Sequence, residues 1–562
     1  METLLQPLRA HPELAVFLTL GVGYWVGKLA LGGFKLGAVA GVLLTGVVVG
    51  QIGAKVSDDL KQVMFLLFLF SIGYKVGPQF FRGFRSGGAQ QMLVTVVFCV
   101  AGLLAGWACA KIFGYDMGTA AGLLAGALTE SATIGVASDA MGKLGLSPEE
   151  VTRLTGNAAS AFAVCYLVGT VGAVLMLSRL GPMLAGADIA AACREYEKEL
   201  GTISAGGAAL SVRRQFIARA IRLHDALGGT GIAALEARLR DETAARLFIG
   251  RIRRGEQFLE ADLPAATLMA GDVVTLSGPR AAVVAVLPRL GEEVDDEELL
   301  DVPADVADVV VTSASVDGRT LAQLGESENA RGVFLRSITR AGQPLPIAPN
   351  LEVQQGDVLR IVGSVGDVAR VAAELGHIDR PTTSTDMVFV GIGILLGGLI
   401  GIPALHLGPL ELGLGVSVGV LVGGLVFGWL RSVRRTFGFI PEPALWLFDS
   451  LGLNGFIAVV GINAGPTFVA GLVQTGPTLV VAALVTLFVA QTAGILFGAR
   501  VLRMHPGVLL GVIAGAGTSG AALAAVQEAA GSKIPTLGYG VPYAVGNVLL
   551  ALWGSIIVAL LA

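Results

Sequence analysis

The sequence has little charge, few aromatic residues and few cysteines. Charged residues make up 15% and aromatic residues 6% of the 562 residues, whereas a soluble protein has about 25% charged residues. The formal net charge is −4, and no basic run alternates with aromatic residues, which argues against nucleic acid as a partner. The four cysteines lack CxxC or metal-ligand spacing. Three of them lie in apolar segments and are interpreted as buried, inert thiols, and no metal or other cofactor is expected.

Several catalytic and binding motifs are also missing. There is no P-loop, no nucleophile elbow, no HExxH motif and no pair of catalytic carboxylates, which argues against an enzyme. There is no TVGYG-like filter loop, which argues against a potassium channel. The first apolar stretch has neither a basic n-region nor a small-residue cleavage site, so we interpret it as a membrane span rather than a cleaved signal peptide.

The few charges are concentrated in the middle of the chain. Residues 1–185 contain 21 charged residues and residues 387–562 contain 10, while the remaining 51 lie in 186–386. This distribution predicts two membrane modules, 1–185 and 387–562, that flank a soluble region. The soluble region divides into two similar domains, 186–300 and 301–386.

The two apolar ends are copies of each other. LGAVAGVLLTGVVVG at 36–50 aligns with LGVSVGVLVGGLVFG at 414–428, and FSIGYKVGPQFFRG at 70–83 aligns with VVGINAGPTFVAG at 459–471. Further matches join AGALTESA to AGAGTSGA and Tyr166-x-x-Gly169 to Tyr543-x-x-Gly546. Duplicated membrane halves are typical of secondary transporters, whose substrate site lies between the halves.

Each half contains six apolar segments, most of them near the ~20 residues needed to span a bilayer. The fifth segment of each half is rich in Gly, Ala, Thr and Ser and is interrupted by polar residues, so we predict that it is re-entrant or broken. Each half would then have five true spans. Because five is an odd number, the second copy would lie in the membrane with the opposite orientation to the first. The predicted segments are 13–31, 36–54, 62–81, 90–113, 118–138 and 155–178, then 387–403, 411–430, 444–464, 477–498, 507–530 and 541–561.

The basic loops give the predicted orientation. With the fifth segments re-entrant, four loops with paired or tripled basic residues fall on the same side of the membrane as 186–386, and the termini fall on the other side. Basic loops are preferentially cytoplasmic, so the central region is predicted to be cytoplasmic. The basic residues are Lys28 and Lys35; Arg82 and Arg85; Arg431, Arg434 and Arg435; Arg500 and Arg503. The predicted fold is a membrane all-α protein with inverted repeats and a central cytosolic α/β domain pair.

The central region also contains a duplication. GDVVTLSGPRAAVVAVLPRLG at 271–291 aligns with GDVLRIVGSVGDVARVAAELG at 356–376. Each copy predicts a strand after a Gly-Asp turn and then a short amphipathic helix, with upstream strands at 247–252 and 333–338. The pattern resembles the C-terminal ligand-sensing (RCK-C or TrkA-C) domain of potassium-conductance regulators. That resemblance implies dimerisation and sometimes a small regulatory ligand; a dimer scaffold without a ligand is the alternative.

With duplicated halves, tandem central domains and the SIGYKVGPQFF motif, the chain resembles the aspartate:alanine exchanger family over nearly its whole length. The resemblance implies electrogenic exchange of an acidic amino acid for its decarboxylated product by alternating access. It also implies a homodimer in a bacterial inner membrane. The alternatives are a sodium- or proton-coupled symporter or exporter of glutamate or a dicarboxylate, and, more remotely, a potassium channel or transport regulator.

Two Gly-x-x-x-Gly-Pro motifs, at matching positions in the third segments, are candidate substrate sites. Proline removes an N–H and glycine tolerates unwinding, so exposed backbone could bind substrate there; a kink for helix packing is the alternative. The motif residues are Gly73, Gly77 and Pro78, and Gly461, Gly465 and Pro466. Lys75 is the intramembrane cation within the first motif, and Asn463 occupies the equivalent place in the second.

The broken fifth segments provide the remaining candidates. Their polar residues are Thr129, Glu130, Ser131 and Thr133 in the first half and Thr518 and Ser519 in the second. Hydroxyl groups there either cap a helix or bind substrate. A carboxylate in an apolar segment is by default functional, and we expect Glu130 to pair with Lys75 when no substrate is bound. Arg82, Asp139 and Glu528 are candidate steering or gating groups.

We further expect the third and fifth segments to move together, in an elevator-like manner. The glycine rows of the second segments, at 37–50 and 415–428, are expected to form a static scaffold and the dimer contact.

Overall fold

A computed structural model of the chain separates into two compact units. The membrane unit contains the two apolar ends, and the central unit contains Leu200–Ile338 and Ile347–Arg380. The chain is a mostly helical membrane protein with a central α/β region. The structure describes residues 2–31, 34–35, 37–83, 88–199, 216–243, 245–259, 266–301, 304–340, 343–378, 384–407, 410–413, 415–433 and 438–562.

The first repeat is built from helices, with one short β-hairpin between its first two segments. Its elements are α1 (Glu2–Ala10), α2 (Pro12–Gly27), β1 (Ala30–Leu31), β2 (Phe34–Lys35), α3 (Ala38–Gly50), α4 (Asp58–Gly83), α5 (Ala89–Phe113), α6 (Met117–Ala127), α7 (Ala132–Gly142) and α8 (Pro148–Leu175). The short helices α9 (Gly181–Ala185) and α10 (Ile189–Glu199) follow. The predicted break in the fifth segment is confirmed, because α6 ends at Ala127 and α7 begins at Ala132.

The central unit contains two sheets with the same strand order. The first copy consists of β3 (Phe216–Leu223), α11 (Ile232–Thr243), β4 (Phe248–Arg254), β5 (Gln257–Leu259), β6 (Val273–Pro279), α12 (Arg280–Leu290) and β7 (Gly291–Glu293), followed by α13 (Glu297–Leu300). The second consists of β8 (Ala304–Val311), α14 (Leu321–Gly325), β9 (Phe334–Arg340), β10 (Gln343–Pro344), β11 (Val358–Ser364), α15 (Val365–Leu375) and β12 (Gly376–Ile378). The orders are β5-β4-β6-β3-β7 and β10-β9-β11-β8-β12.

The Gly-Asp turns before β6 and β11 have the same geometry in both copies. Gly271 and Gly356 have φ values of 81° and 88°, which glycine adopts without steric cost. The buried carboxylates that follow accept backbone N–H groups at 2.8 Å, Asp272 from Met269 and Asp357 from Gln354. The turn, strand and helix predicted from the repeated sequence are therefore confirmed in both copies.

The second repeat follows the order of the first. Its elements are α16 (Met387–Gly401), β13 (Ala404–Leu407), β14 (Leu410–Gly413), α17 (Gly415–Val433), α18 (Glu442–Leu496), α19 (Pro506–Ala516), α20 (Gly520–Ala530) and α21 (Gly540–Leu561). The helix α18 contains both the third and the fourth predicted segments, and its two apolar stretches are Glu442–Gly465 and Gly476–Val501. The fifth segment is again broken, between α19 and α20.

Seven stretches of described helix are long and apolar enough to cross a membrane. They are Asp58–Phe81, Ala89–Phe113, Pro148–Ala185, Gly415–Val433, Glu442–Gly465, Gly476–Val501 and Gly540–Leu561. The apolar helices α2, α3, α6, α16 and α19 are shorter, with 10–17 residues.

Glycines hold α4 against α17 and the first part of α18 against α3. The Cα of Gly50 lies only 2.8 Å from the point that a Cβ on Gly465 would occupy. Gly73 and Gly77 face the backbone of α17 equally closely. Small residues permit such approach, and van der Waals packing then replaces the hydrophobic effect that is missing within lipid. Each third segment therefore packs on the second segment of the other repeat.

The two broken segments, α6–α7 and α19–α20, open toward opposite ends of the membrane unit. Five residues separate the end of α7 from the start of α8, which runs for 28 residues, about 42 Å at 1.5 Å per residue. Beyond its far end, α10 contacts the base of α19–α20: Ser532 donates to Glu197 at 2.5 Å, and His505 lies 3.2 Å from the Ala192 carbonyl. The open end of the hairpin α6–α7, opposite its tip, thus lies near the start of α8. The open end of the hairpin α19–α20 lies beyond the end of α8.

Candidate functional site

The two helical hairpins α6–α7 and α19–α20 meet at their tips. The Thr129 hydroxyl donates to the Gly517 carbonyl at 2.8 Å, and the Thr518 hydroxyl lies 3.3 Å from the Thr129 carbonyl. Thr129 and Thr518 occupy equivalent places in the two repeats. They have positive φ values of 57° and 52°, which are rare for a β-branched residue and cost about 1–3 kcal/mol. Such strain is concentrated at functional sites.

The second arm of each hairpin starts at its tip with a capping interaction. Ser519 accepts the Ala522 N–H at 3.2 Å and caps α20. At the equivalent place in the first repeat, Glu130 accepts the Ala132 N–H at 3.1 Å at the start of α7. Two helix N-termini therefore lie beside the junction, where the partial positive charge of the helix ends favours anions.

Glu130 is the buried carboxylate of this junction, with 4% of its surface exposed. The Thr518 hydroxyl contacts it from the other hairpin. The phenols of Tyr166 and Tyr543, which are repeat equivalents, both lie within reach of its charge. No ion pair joins Glu130 to a cation in the part of the chain that the structure describes. A carboxylate at such a place has capacity for an ammonium group or a proton.

Tyr543 connects the junction with a second charged group. The Asp449 carboxylate also lies within electrostatic range of the Tyr543 phenol, and Asn547 hydrogen bonds to that phenol. Asp449, on α18, forms an ion pair with Lys75 on α4; the two side chains are 25% and 36% exposed. Glu130 and Asp449 thus both act electrostatically on Tyr543, and Asp449 is paired with Lys75.

Aromatic rings form the apolar side of the site. The Phe65 ring lies directly over Gly135 of α7, where a Cβ could not be accommodated. It also packs against Phe456 of α18 with ring centroids 4.7 Å apart, and both rings are buried. The hairpin α6–α7 therefore contacts α4 through a glycine and a ring rather than through polar groups.

The expected pair between Lys75 and Glu130 is wrong. Lys75 pairs with Asp449, and Glu130 is bound by the Ala132 N–H and the Thr518 hydroxyl. The physical reason is the packing of the third segments: α4 and α18 contact each other, so the nearest carboxylate to Lys75 comes from the other repeat's third segment.

The expectation of unwound backbone at the two Gly-x-x-x-Gly-Pro motifs is also wrong. Gly73, Gly77 and Pro78 lie inside α4, and Gly461, Gly465 and Pro466 lie inside α18. Their glycines face glycine-containing helices of the other repeat, so the packing interpretation explains them. Most glycines in the rows of α3 and α17 likewise face helices of the same chain, while the expected dimer contact at the second segments stays a prediction.

The expected joint movement of the third and fifth segments stays a prediction. The third segments pack extensively on α17 and α3. The fourth, fifth and sixth segments form a second group, in which Thr133 donates to the Leu550 carbonyl at 2.9 Å and Cys165 contacts the Leu479 carbonyl.

The other candidate residues lie at different distances from the junction. Ser131 lies at the tip and is buried, while Asn463 binds the backbone N–H and carbonyl of Val56 at 3.2 and 3.1 Å. Asp139 lies 3.4 Å from Lys143 near the end of α7, and Glu528 is exposed near the end of α20, both away from the tips. Arg82 lies in the last turn of α4, and its side chain is outside the described residues.

The sequence interpretation missed Asp449, Tyr166 and Tyr543 as members of the site. A signal existed for each of them. Asp449 is a carboxylate inside the apolar segment 444–464, and an ionisable residue there is by default functional. The two tyrosines are one of the matched pairs that reveal the duplication, and both are near Glu130.

Comparison with known families agrees with this architecture. A family model described as a predicted permease membrane region (Asp-Al_Ex) matches residues 15–181 and 387–559. The chain belongs to this permease family. A TrkA-C domain model matches residues 306–376, the second of the two central copies.

Similar proteins cover the whole chain. A protein from Shewanella oneidensis described as an uncharacterized transporter is 40% identical over 100% of both chains. Uncharacterized transporters from Bradyrhizobium diazoefficiens and Bordetella parapertussis are 41% and 39% identical, over 91% and 100% of this chain and 99% and 98% of their own. No solved structure matches the chain. These relatives identify it as a multi-pass membrane transporter.

Proposed function

We propose that this permease is a secondary antiporter that exchanges an acidic amino acid, aspartate, for alanine. The junction of the hairpin tips supports this proposal most strongly. There, two helix N-termini lie beside a buried Glu130 that has no cationic partner among the described residues. The helix ends suit a substrate carboxylate and Glu130 suits the substrate ammonium.

The cationic group for a second carboxylate is Lys75. Its pairing with Asp449 keeps the charge neutralised when the site is empty, because an unpaired charge in a low-dielectric environment is costly. A substrate with two carboxylates and one ammonium can engage Lys75 and Glu130 in place of protein partners. Glu130 has no cationic partner among the described residues when the site is empty. Such a carrier would reorient slowly when empty, which favours exchange over net uptake.

The movement that we propose is elevator-like. The body that moves contains α5–α8, the part of α18 from Gly476 onward, and α19–α21; the scaffold contains α2–α4, α16, α17 and the first part of α18. This grouping follows the contacts within each set, and Glu130 and Asp449, one from each set, both act electrostatically on Tyr543. We also propose a homodimer in the bacterial inner membrane, as the family resemblance implies. The basic loops support a cytoplasmic position of the central region.

The decisive experiment is counterflow in proteoliposomes that contain the purified protein. Radiolabelled aspartate should accumulate when the lumen contains alanine or unlabelled aspartate and no ion gradient is imposed. Vesicles without internal substrate should take up little. Uptake into empty vesicles that requires a sodium or proton gradient would instead identify a cation-coupled symporter of glutamate or a dicarboxylate.

A matched pair of variants controls for folding. Glu130→Gln should abolish most of the counterflow. Glu149→Gln, an exposed glutamate in the first turn of α8, should retain it. Full counterflow by Glu130→Gln would contradict the assignment of the hairpin junction as the substrate site.

A further inference from the structure

The two copies of the central domain carry an arginine at equivalent positions. Arg246 follows Ala245 just before β4, and Arg331 follows Ala330 just before β9, 85 residues later. Each arginine reaches across to the other copy: Arg246 donates to the Ala330 carbonyl at 3.0 Å, and Arg331 donates to the Ile249 carbonyl at 2.8 Å. The two donors are equivalent in the internal duplication, although the two acceptor carbonyls are not.

Only one of the two arginines has a carboxylate partner. Arg331 forms a two-pronged contact with Glu236 of α11, with nitrogen–oxygen distances of 2.6 and 3.2 Å. This geometry is the strong, bidentate form of the arginine–carboxylate interaction. Arg246 forms no ion pair with a carboxylate in the described part of the chain. Its guanidinium lies 4.8 Å from the centre of the Phe248 ring.

The reason for this asymmetry is a glycine in the second copy. Helices α11 and α14 start equivalently, since the Ile232 N–H donates to the Ala266 carbonyl and the Leu321 N–H donates to the Leu351 carbonyl. The two acceptors are 85 residues apart and the two donors are 89 residues apart. The fifth residue of α11 is Glu236, and the fifth residue of α14 is Gly325. A Cβ on Gly325 would lie 3.5 Å from Nη1 of Arg246. Gly325 therefore occupies the place from which a glutamate would reach Arg246.

A cavity of about 390 Å³ lies at this place, between the two copies. Helix α14 ends at Gly325, whereas α11 continues for seven residues beyond Glu236 to Thr243. The volume lies within the range of about 300–1,000 Å³ that is usual for ligand pockets. Arg246 and Arg240 line one side, and the apolar residues that line the other include Leu321, Leu324, Leu359, Ile361 and Leu375.

The charges around the cavity restrict the ligand. Burial, with a smaller contribution from the charge of Arg240, lowers the pKa of Arg246, and the opposing charge of Glu236 only partly offsets this. An anion beside Arg246 would therefore be favourable. Glu326 and Glu374 also line the cavity, and they would repel a multiply charged phosphate. A ligand with a single negative charge and an apolar body matches the cavity, because the charge can contact Arg246 and the apolar body can contact the leucine side chains.

We propose that this cavity binds a small organic monocarboxylate with an apolar body, whose carboxylate contacts Arg246 as Glu236 contacts Arg331. The apolar body lies on Leu321, Leu324 and Ile361. The site belongs to the central unit and does not depend on which substrate crosses the membrane.

The test uses the full-length purified protein and two probes of the same shape. Naphthalene-2-carboxylate carries the charge and naphthalene-2-carboxamide lacks it, and isothermal titration measures both. The carboxylate should bind at least about tenfold more tightly than the amide, since a hydrogen bond to a charged partner is worth about one factor of ten or more. Equal affinities, or no binding of the carboxylate, would overturn the proposal.

Three variants locate the site. Arg246→Ala should weaken carboxylate binding by about tenfold or more and leave amide binding nearly unchanged. Gly325→Glu restores the missing glutamate, so it should abolish carboxylate binding while the protein melts at the same or a higher temperature. Arg238→Ala, which removes an exposed arginine that pairs with Glu242 on α11, is the control and should bind like the wild type. Unchanged binding by Gly325→Glu would overturn the proposal even if Arg246→Ala fails to fold.

Discussion

Lys75 of α4 forms an ion pair with Asp449 of α18, so one charge pair joins the third segments of the two repeats. Lys75 lies eight residues before the end of α4, and Asp449 lies seven residues after the start of α18. Both are thus about 10–12 Å along the helix axis from those ends. Two charges at the same depth neutralise each other inside the membrane unit.

Removal of one partner should therefore cost more than removal of both. Lys75→Met and Asp449→Leu should each lower the melting temperature, because the remaining charge has no partner in a low-dielectric environment. The double variant should melt closer to the wild type than either single variant. Thermal unfolding in detergent checks this, and a double variant as unstable as the sum of the two would contradict the pairing.

Glu130→Gln tests the role of charge at the hairpin junction. The amide oxygen can still accept the Ala132 N–H that Glu130 accepts at 3.1 Å, so the fold should persist. If Glu130 binds the substrate ammonium, the affinity for aspartate should fall at least about tenfold, a loss of about 1.4 kcal/mol. Succinate lacks the ammonium and should lose less. Calorimetric titration of both ligands measures this, with Glu149→Gln as the control; equal losses for both ligands would refute the ammonium contact.

The positive φ values of Thr129 and Thr518 predict different results for glycine and valine. Thr129→Gly relieves about 1–2 kcal/mol of backbone strain and loses a hydrogen bond worth about 1 kcal/mol, so stability should change little. Thr129→Val keeps the strain and removes the donor to the Gly517 carbonyl. It should destabilise by about 1–3 kcal/mol. Unfolding midpoints distinguish the two variants, and similar midpoints would mean that the backbone there is not strained.

Transport by the glycine variants separates strain from function. Thr129→Gly and Thr518→Gly should both lower counterflow despite near-normal stability, because each removes a hydroxyl at the hairpin junction. Normal transport by both variants would assign the hydroxyls to folding alone.

The opposite openings of the two hairpins can be tested by labelling. Lys143 follows α7 and Lys533 follows α20, and both are exposed. Lys143→Cys should react with a membrane-impermeant maleimide in intact cells, whereas Lys533→Cys should react only after the inner membrane is opened. The native cysteines Cys99, Cys109, Cys165 and Cys193 are buried and should remain unlabelled. Labelling of both engineered positions from the same side would contradict the inverted arrangement.

The tight glycine contacts predict which glycines tolerate a methyl group. Gly73→Ala and Gly77→Ala would press a Cβ against the backbone of α17 and should destabilise by about 1–3 kcal/mol. Gly21→Ala and Gly391→Ala, where no atom lies within 4 Å of the new Cβ, should be neutral or slightly stabilising. Melting temperatures of the four variants check this, and equal effects would refute the close helix contacts.

Much of the architecture could be predicted because it depends on local sequence patterns. The repeated segments around Gly37–Gly50 and Gly415–Gly428 indicate the duplication, and the charge distribution separates membrane from soluble regions. Thr129-Glu130-Ser131 interrupts an apolar segment, which predicts the break between α6 and α7. The Gly-Asp turns at Gly271 and Gly356 predict both central strands, since only neighbours in sequence are needed to form them.

The partners of the charged and glycine residues were decided only by the tertiary structure. Lys75 could have paired with Glu130 or with Asp449 as far as the sequence indicates, because both carboxylates are distant in the chain. The packing of α4 on α17 and α18 brings Asp449 to Lys75, and the meeting of the hairpin tips brings Thr518 to Glu130. The same packing explains why Gly73 and Gly77 lie in an intact helix. From the sequence, these glycines could serve either to unwind the helix or to let another helix pack closely. The tertiary structure shows that the backbone of α17 packs against them.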